Sequence, residues 1–256
     1  MTTMTSPPAG AGGVAREAGL GKRETIPSPA LARFGFFAVA SFLATQAWAF
    51  VSSPPDRLMG HLQKIMYLHV PTAWAGMLAF AIVFVASVGY LWTRRDGWDR
   101  LALASAEVGT LLIAVTLVLG SVWGKPTWGI WWTWDPRLTT TAILLLMYAG
   151  YLALRAFVED RDRAARWSAV VGIFAFVNVP IVYMSVRWWR TLHQVQSGPR
   201  TMDRNYLMGL AINSITILFV MAYLIARRAE VARLEQAVEA ELEARAFGAA
   251  APAGRR

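Results

Sequence analysis

The sequence predicts an all-α polytopic membrane protein with six transmembrane helices and, on its outer side, a tryptophan-rich amphipathic segment. Apolar residues make up 56% of the 256 residues and charged residues only 16%, which is too apolar for an ordinary soluble domain. Six runs approach the ~20 residues that a helix needs to cross ~30 Å of hydrocarbon. The basic residues are also distributed unevenly between the two sides of these runs.

The six runs follow one another along residues 31–226, which we interpret as one membrane domain. The first run, Leu31–Val51, carries Arg33 and Gln46 near its ends, where long polar side chains can reach the interface. The other five predicted spans are Pro71–Trp92, Leu101–Trp123, Leu138–Phe157, Ser168–Val186 and Tyr206–Ala226.

Lysine and arginine predict the orientation of these spans. With six spans both termini lie on one side, and that side collects 17 of the 25 basic residues, so we expect it to be cytoplasmic. The net charge of +9 is then a topology signal rather than a nucleic-acid footprint, because no single exposed domain carries it. The absence of cysteine excludes disulfides, thiolate metal sites and thioether-linked prosthetic groups.

The two ends of the chain are predicted to lie in the cytoplasm. Residues 1–30 are rich in Ala, Gly, Pro and Thr and are expected to be a disordered leader. Within them GLGKRE lacks the upstream Gly and following Ser or Thr of a phosphate loop, so any energy from nucleotides must come from a partner. Residues 227–256 are expected to form an amphipathic tail, either a solvated extension of the sixth span or a partner-docking helix.

Tryptophan is concentrated on the outer side of the membrane. Nine of the twelve tryptophans fall in or beside the outer loops, whereas an aromatic belt should mark both interfaces. If Trp128–Trp134 is helical, three indoles and Asp135 share one face. Asp135-Pro136 is typical of an N-cap and first position of the fourth helix, and Asp135 is either only that cap or also part of a site.

The three histidines are predicted to lie in the outer loops as well. His69 in YLHVP precedes Pro71, which we expect to start the second span, and His193 in WWRTLHQ follows the fifth, while His61 lies farther from any span end. Imidazole is a common metal ligand and an axial ligand of haem iron.

Two imidazoles beside an indole surface fit haem, with one histidine on each face of the macrocycle. A mononuclear zinc or copper site would leave the indoles unexplained, and a quinone would leave the histidines weakly explained. The candidate partners for the propionates are outer basic residues: Arg57, Lys64, Lys125, Arg137 and Arg190.

These residues carry a family resemblance. The segment from Trp123 to Thr139 resembles the WWD signature of the haem-handling protein superfamily through Trp123, Gly124, Trp128, Gly129, Trp131, Trp132, Trp134, Asp135, Arg137 and Thr139. Within that superfamily, the six-span length, KIMYLHVPTAW and WWRTLHQ resemble CcmC, the haem exporter C family of bacterial cytochrome c maturation. The resemblance covers about residues 31–226.

The resemblance implies a non-enzymatic protein of the bacterial inner membrane that binds haem b non-covalently at the periplasmic face. Such a protein delivers haem to the chaperone CcmE and works with the ABC transporter subunits CcmA and CcmB and with CcmD. The two family histidines map onto His69 and His193 as iron ligands, the WWD residues map onto the haem-binding surface, and His61 has no family role. The alternative is a permease or structural subunit whose aromatic loop only anchors it in the lipid bilayer.

Overall fold

The structure, a computed structural model, describes residues 28–194 and 202–250. Over these residues the regular secondary structure is helical, as predicted for an all-α protein. The α-helices are α1 Pro29–Ser52, α2 Met66–Thr93, α3 Asp96–Trp128, α4 Pro136–Phe157, α5 Arg161–Phe176, α6 Asn178–Trp188 and α7 Arg204–Ala250, and a 3-10 helix His61–Ile65 precedes α2. Six helical stretches are long and apolar enough to cross a membrane, with α5 and α6 together counting as one. The prediction of six spans is therefore confirmed.

Helix α2 lies at the centre of the bundle and packs against α3, α5 and α7. Its contact with α3 is close because glycines face large side chains across the interface. A Cβ on Gly76 would lie 2.8 Å from the Ile113 side chain, and one on Gly109 would lie 2.6 Å from the ring of Phe80. Small residues let transmembrane helix backbones approach in this way, and the close approach carries through to the end of the pair where the site lies.

The start of the second span differs from the sequence prediction. Helix α2 begins at Met66 and contains Pro71, so the expectations that Pro71 starts the span and that His69 lies in a loop are wrong. Pro71 has no N–H to give to the carbonyl of Tyr67 one turn earlier. Gln46 of α1 supplies a donor instead, with its Nε2 3.3 Å from that carbonyl oxygen. The proline is thus accommodated inside the helix by a tertiary hydrogen bond.

The tryptophan-rich segment is not the amphipathic helix that the spacing suggested. Helix α3 ends at Trp128, and Gly129 adopts a left-handed conformation with φ 79°, which glycine reaches without a steric penalty. Residues 129–135 have no regular structure. The interpretation of Asp135-Pro136 is confirmed: α4 begins at Pro136, and the Asp135 side chain accepts the Arg137 N–H at 2.9 Å.

The fifth span is interrupted where a single helix was expected. Helices α5 and α6 meet at Val177, because Pro180 cannot donate to a carbonyl one turn earlier. Asn178 at the break donates its Nδ2 to the Thr140 carbonyl of α4 at 2.9 Å. The break therefore fixes the direction of α6 against α4 and, with it, the loop that follows α6.

The tail continues the sixth span as one helix. Helix α7 runs past Ala226 to Ala250, and its first turns beyond the span pack on α3, where Arg228 pairs with Glu107 at 2.6 Å. Farther along, Val238 and Leu242 are exposed. Residues 1–27 of the predicted leader are not among the residues that the structure describes.

Candidate functional site

His69 lies near the start of α2, at the end of the bundle where α3 ends and α4 begins. Its Nδ1 lies 3.1 Å from the backbone carbonyl oxygen of Thr116 on α3. Its ring meets the indole of Trp123 edge to face, with centroids 5.8 Å apart. Both contacts come from α3, so the packing of α2 on α3 decides where this imidazole lies.

Asp135 ties the start of α4 to the loop that follows α6. In addition to its capping bond, Oδ1 accepts from the Thr191 hydroxyl at 2.8 Å, and Oδ2 accepts from the Leu192 N–H at 2.7 Å. The Thr191 hydroxyl oxygen also accepts from the His193 N–H at 3.1 Å. The carboxylate is therefore both a helix cap and the anchor of the segment that carries the second histidine.

These hydrogen-bond donors stabilise the ionised form of the Asp135 carboxyl group. Burial alone would raise the pKa of the carboxyl group, but the hydrogen bonds from Thr191, Leu192 and Arg137 outweigh burial and hold the pKa below its ordinary value. The group is thus an anion at neutral pH. A buried carboxylate with this many donors fixes the loop more firmly than a neutral acceptor would.

His193 presents a neutral imidazole at the same end of the bundle. Its Nδ1 is buried 3.6 Å from Asp135 Oδ1, beyond hydrogen-bond distance, and has no hydrogen-bond partner within the part of the chain that the structure describes. Burial lowers the pKa of His193 to about 4, with the Arg137 guanidinium adding to this effect and Asp135 opposing it. The ring packs edge to face on Trp128, with centroids 4.9 Å apart. An uncharged imidazole of this kind is ready to coordinate a metal.

Arg137 places a positive charge beside both histidines. Its Nη1 donates to the carbonyl oxygens of Val182 at 3.1 Å and Tyr183 at 3.4 Å on α6. No salt bridge to it is present among the described residues. The guanidinium interacts with the charge of Asp135 without forming a salt bridge to it, and its remaining N–H donors suit a further anionic group.

The side chains of His69, His193 and Arg137 line one cleft that is partly open to solvent. Its walls are mainly apolar and include four tryptophans, and the charged or titratable groups among them are two histidines and one arginine. The lining includes His69, His193, Arg137, Trp74, Trp123, Trp128, Trp132, Met59, Met77, Gly120 and Gly124. A cleft with aromatic walls and a few convergent polar groups is typical of a cofactor-sized ligand.

Comparison with known proteins decides the family. The family model described as CcmC, heme exporter protein C, matches residues 23–243. The chain belongs to the heme exporter protein C family. A heme exporter protein C from Bradyrhizobium diazoefficiens is 40% identical over 202 residues, 77% of each chain. One from Paracoccus denitrificans is 34% identical over 203 residues, 77% of this chain and 84% of the relative.

The match to the Escherichia coli K12 member of the heme exporter protein C family is shorter. It is 42% identical over 149 residues, which are 57% of this chain and 60% of the relative. The family resemblance read from the tryptophan-rich segment and the two histidine segments is confirmed by the family match.

The structure divides the predicted haem-binding residues into two groups. His69, His193, Trp123, Gly124, Trp128, Trp132 and Arg137 line the cleft. Outside its lining lie Gly129, Trp131, Trp134 and Asp135. Trp131 and Trp134 are 56% and 79% exposed, and Lys125 lies 6.0 Å from the Trp131 ring centroid. Exposed indoles at one end of a membrane bundle are what an aromatic belt explains.

Most of the predicted propionate partners, and the third histidine, lie outside the cleft lining. Among the five outer basic residues proposed for the propionates, Arg137 alone lies in the lining of the described cleft. His61, at the start of the 3-10 helix, is exposed and outside that lining.

Sequence reasoning missed the residues that hold the histidines. Thr191 precedes His193 by two residues, and hydroxyl side chains often bond to nearby backbone N–H groups, so a signal was present in WWRTLHQ. Thr116 and Gly120 lie inside an apolar span with no local signal. Only the packing of α3 on α2 brings them to His69.

Proposed function

We propose that this protein binds haem b non-covalently in the cleft at the periplasmic face of the bacterial inner membrane and delivers it to the haem chaperone CcmE. The observation that carries the proposal is that His69 and His193 line one aromatic cleft together with Arg137. The first two supply imidazole ligands for iron, and the third supplies a cation for a propionate. The residues present therefore fit haem.

The chemistry of the walls supports haem over a bare metal ion. Four indoles line the cleft, from Trp74, Trp123, Trp128 and Trp132, and flat apolar surfaces of this kind cover a macrocycle. Haem supplies the iron and the flat ring, and the chain supplies the ligands, the walls and the cation. Since the chain has no cysteine, it has no thiol to form a thioether to haem, which favours a carrier from which haem can leave.

The family supports the proposed partners. Proteins named heme exporter protein C suggest work within an export system, for which we propose the ABC transporter subunits CcmA and CcmB, together with CcmD. The protein is then a binding and transfer component rather than an enzyme. We further propose that both termini are cytoplasmic, because the basic residues concentrate on that side of the spans.

The test is haem content after purification in detergent. The wild type should show a Soret band, and its pyridine haemochrome spectrum should be that of haem b. His69→Ala and His193→Ala should lose the band or change it, whereas His61→Ala, which alters an exposed histidine outside the cleft, should leave it unchanged. A well-folded wild type that never takes up haem would instead support a permease or structural subunit with an aromatic membrane anchor.

A further inference from the structure

The imidazole of His69 rests on one face of α3. Thr116 and Gly120 lie one helical turn apart and so share that face. The Thr116 carbonyl oxygen lies 3.1 Å from His69 Nδ1. A carbonyl oxygen only accepts hydrogen bonds, so Nδ1 must carry the proton. The other ring nitrogen, Nε2, is then left with its lone pair.

Gly120 provides the space that the ring occupies. A Cβ built on Gly120 would lie 3.0 Å from His69 Cε1, 3.6 Å from Nδ1 and 3.9 Å from Nε2. Carbon atoms in good contact are about 3.5–4.0 Å apart, so any side chain here would press on the ring. The atoms concerned belong to the edge of the imidazole that runs from Nδ1 to Nε2, so a displacement would move both nitrogens.

One pair of hydroxyl groups links α2 and α3 at this point. Thr116 Oγ1 lies 3.1 Å from Thr72 Oγ1, and the Thr72 hydroxyl lies 2.9 Å from the His69 carbonyl oxygen. Both threonines are buried. The backbone of His69 and the carbonyl that receives its ring are therefore linked across the interface, which limits how far α2 could shift to relieve a clash.

We propose that Gly120 and the Thr116 carbonyl form a seat that fixes the ring plane and the tautomer of His69, so that Nε2 is the nitrogen offered to iron. This inference rests on the proposed haem function. Gly120 is then a positioning residue that acts through His69. The hydrogen bond that Nδ1–H donates to the Thr116 carbonyl oxygen orients the imidazole and raises the basicity of Nε2. Any other residue at position 120 would move the ligand.

The first test needs no haem. Protein labelled with ¹⁵N-histidine is studied by NMR at pH 8, and the His69 signals are assigned by their loss in His69→Ala. The expected result is a proton on Nδ1 and none on Nε2, with both shifts changed in Gly120→Ala. Gly150→Ala is the matched control, because Gly150 is also helical and a Cβ there would meet nothing within 4 Å. A proton on Nε2 of His69 in the wild type would overturn the seat.

The second test measures bound haem in the same variants. Overpacking at Gly120 should shift the Soret maximum, raise the iron midpoint potential and weaken haem binding by roughly five- to hundredfold, more in Gly120→Val than in Gly120→Ala. Gly150→Ala should match the wild type in all three. Unchanged spectra in both Gly120 variants would refute the proposal. If the valine variant does not insert, the alanine variant decides.

The two tests separate the seat from the proposed function. A wild type without haem but with the expected His69 tautomer would refute haem binding and leave the seat in place. A wild type that binds haem, together with Gly120 variants whose spectra and haem affinity are unchanged, would refute the seat and leave haem binding in place.

Discussion

Asp135→Asn is the most informative single change at the end of the bundle that carries His69 and His193. The carboxylate uses both of its oxygens: Oδ1 accepts from the Arg137 N–H and the Thr191 hydroxyl, and Oδ2 accepts from the Leu192 N–H. Asparagine has one oxygen and one NH₂ group in the same places. If its oxygen takes the Oδ1 position, the cap survives, but the NH₂ group faces the Leu192 N–H. If the amide is reversed, the cap is lost instead.

The size of the effect follows from the first orientation. It removes one hydrogen bond to a charged group, which is worth about 1.5–3 kcal/mol, or roughly ten- to hundredfold in an equilibrium constant. Leu192 directly precedes His193, so the disturbed segment carries the proposed ligand. Haem affinity should therefore fall by up to that factor, while α4 keeps its cap, because Asn caps helices about as well as Asp.

The assay is a haem titration followed at the Soret band, with the thermal stability of the haem-free protein measured in parallel. Asp160→Asn is the matched control, since Asp160 also caps a helix, α5, through the Arg163 N–H at 2.6 Å but is exposed and outside the cleft lining. It should bind haem as the wild type does. Thr191→Val should lose affinity in the same direction. Combined with Asp135→Asn it should add less than its separate effect, because in the Asn variant the Thr191 hydroxyl donates to a neutral amide oxygen instead of a carboxylate.

Two outcomes would refute this reasoning. If Asp135→Asn binds haem as tightly as the wild type, Asp135 is only a helix cap and the loop bonds do not hold His193 in place. If Asp160→Asn loses as much haem as Asp135→Asn, the loss reflects general helix stability rather than the loop.

Three further predictions concern pH, orientation and the tryptophans. Because burial holds the pKa of His193 at about 4, below its ordinary 6.5, haem retention should persist as the pH falls through 6.5 and be lost only near 4; a Soret titration centred near 6.5 would contradict this. The haem-free protein should lose folding stability as the pH falls from 6.5 to about 4, because in this range His193 is protonated in the unfolded chain but still neutral in the folded one. Trp132→Ala should weaken haem binding by about 0.5–1.5 kcal/mol beyond its lost burial, whereas Trp134→Ala, exposed beside it, should not, as measured by the same titration. The chain has no native cysteine, so cysteines can be placed one at a time at two predicted outer positions, Leu62 and Ile130, and at two predicted inner positions, Gly97 and Arg163. In cells with a permeable outer membrane, an impermeant thiol reagent should label the two outer positions only. Labelling of the inner pair alone would show that the topology is inverted.

The spans and one helix start were predictable because local physics dominates there. Span length is set by the bilayer, so six long apolar runs gave the right number of membrane helices. Asp135-Pro136 combines a capping side chain with a residue that suits the first helical position, and α4 begins where that pair predicts. Neither inference required knowledge of what packs against what.

The errors arose where a tertiary contact or one glycine overrode the local pattern. Pro71 looked like a helix start because a proline inside a helix frees a carbonyl, yet Gln46 of α1 takes up that carbonyl. The spacing of tryptophans favoured a helix through Trp134, but Gly129 ends α3 in a left-handed conformation. A periodicity argument counts side chains on a face and does not detect a single backbone turn.

The histidines show the same division between what a sequence reveals and what packing adds. Residue type and side of the membrane marked His69 and His193, and the structure brings both to one cleft. What holds each ring is different: a carbonyl of a neighbouring helix for His69, and a loop anchored on a buried carboxylate for His193. Changes within the α2–α3 interface should therefore displace the ring of His69, and changes at Asp135 should displace the ring of His193. The aspartate of the WWD segment lies outside the cleft lining but directly contacts it, because it accepts the backbone N–H groups of Arg137 and Leu192, which both belong to that lining.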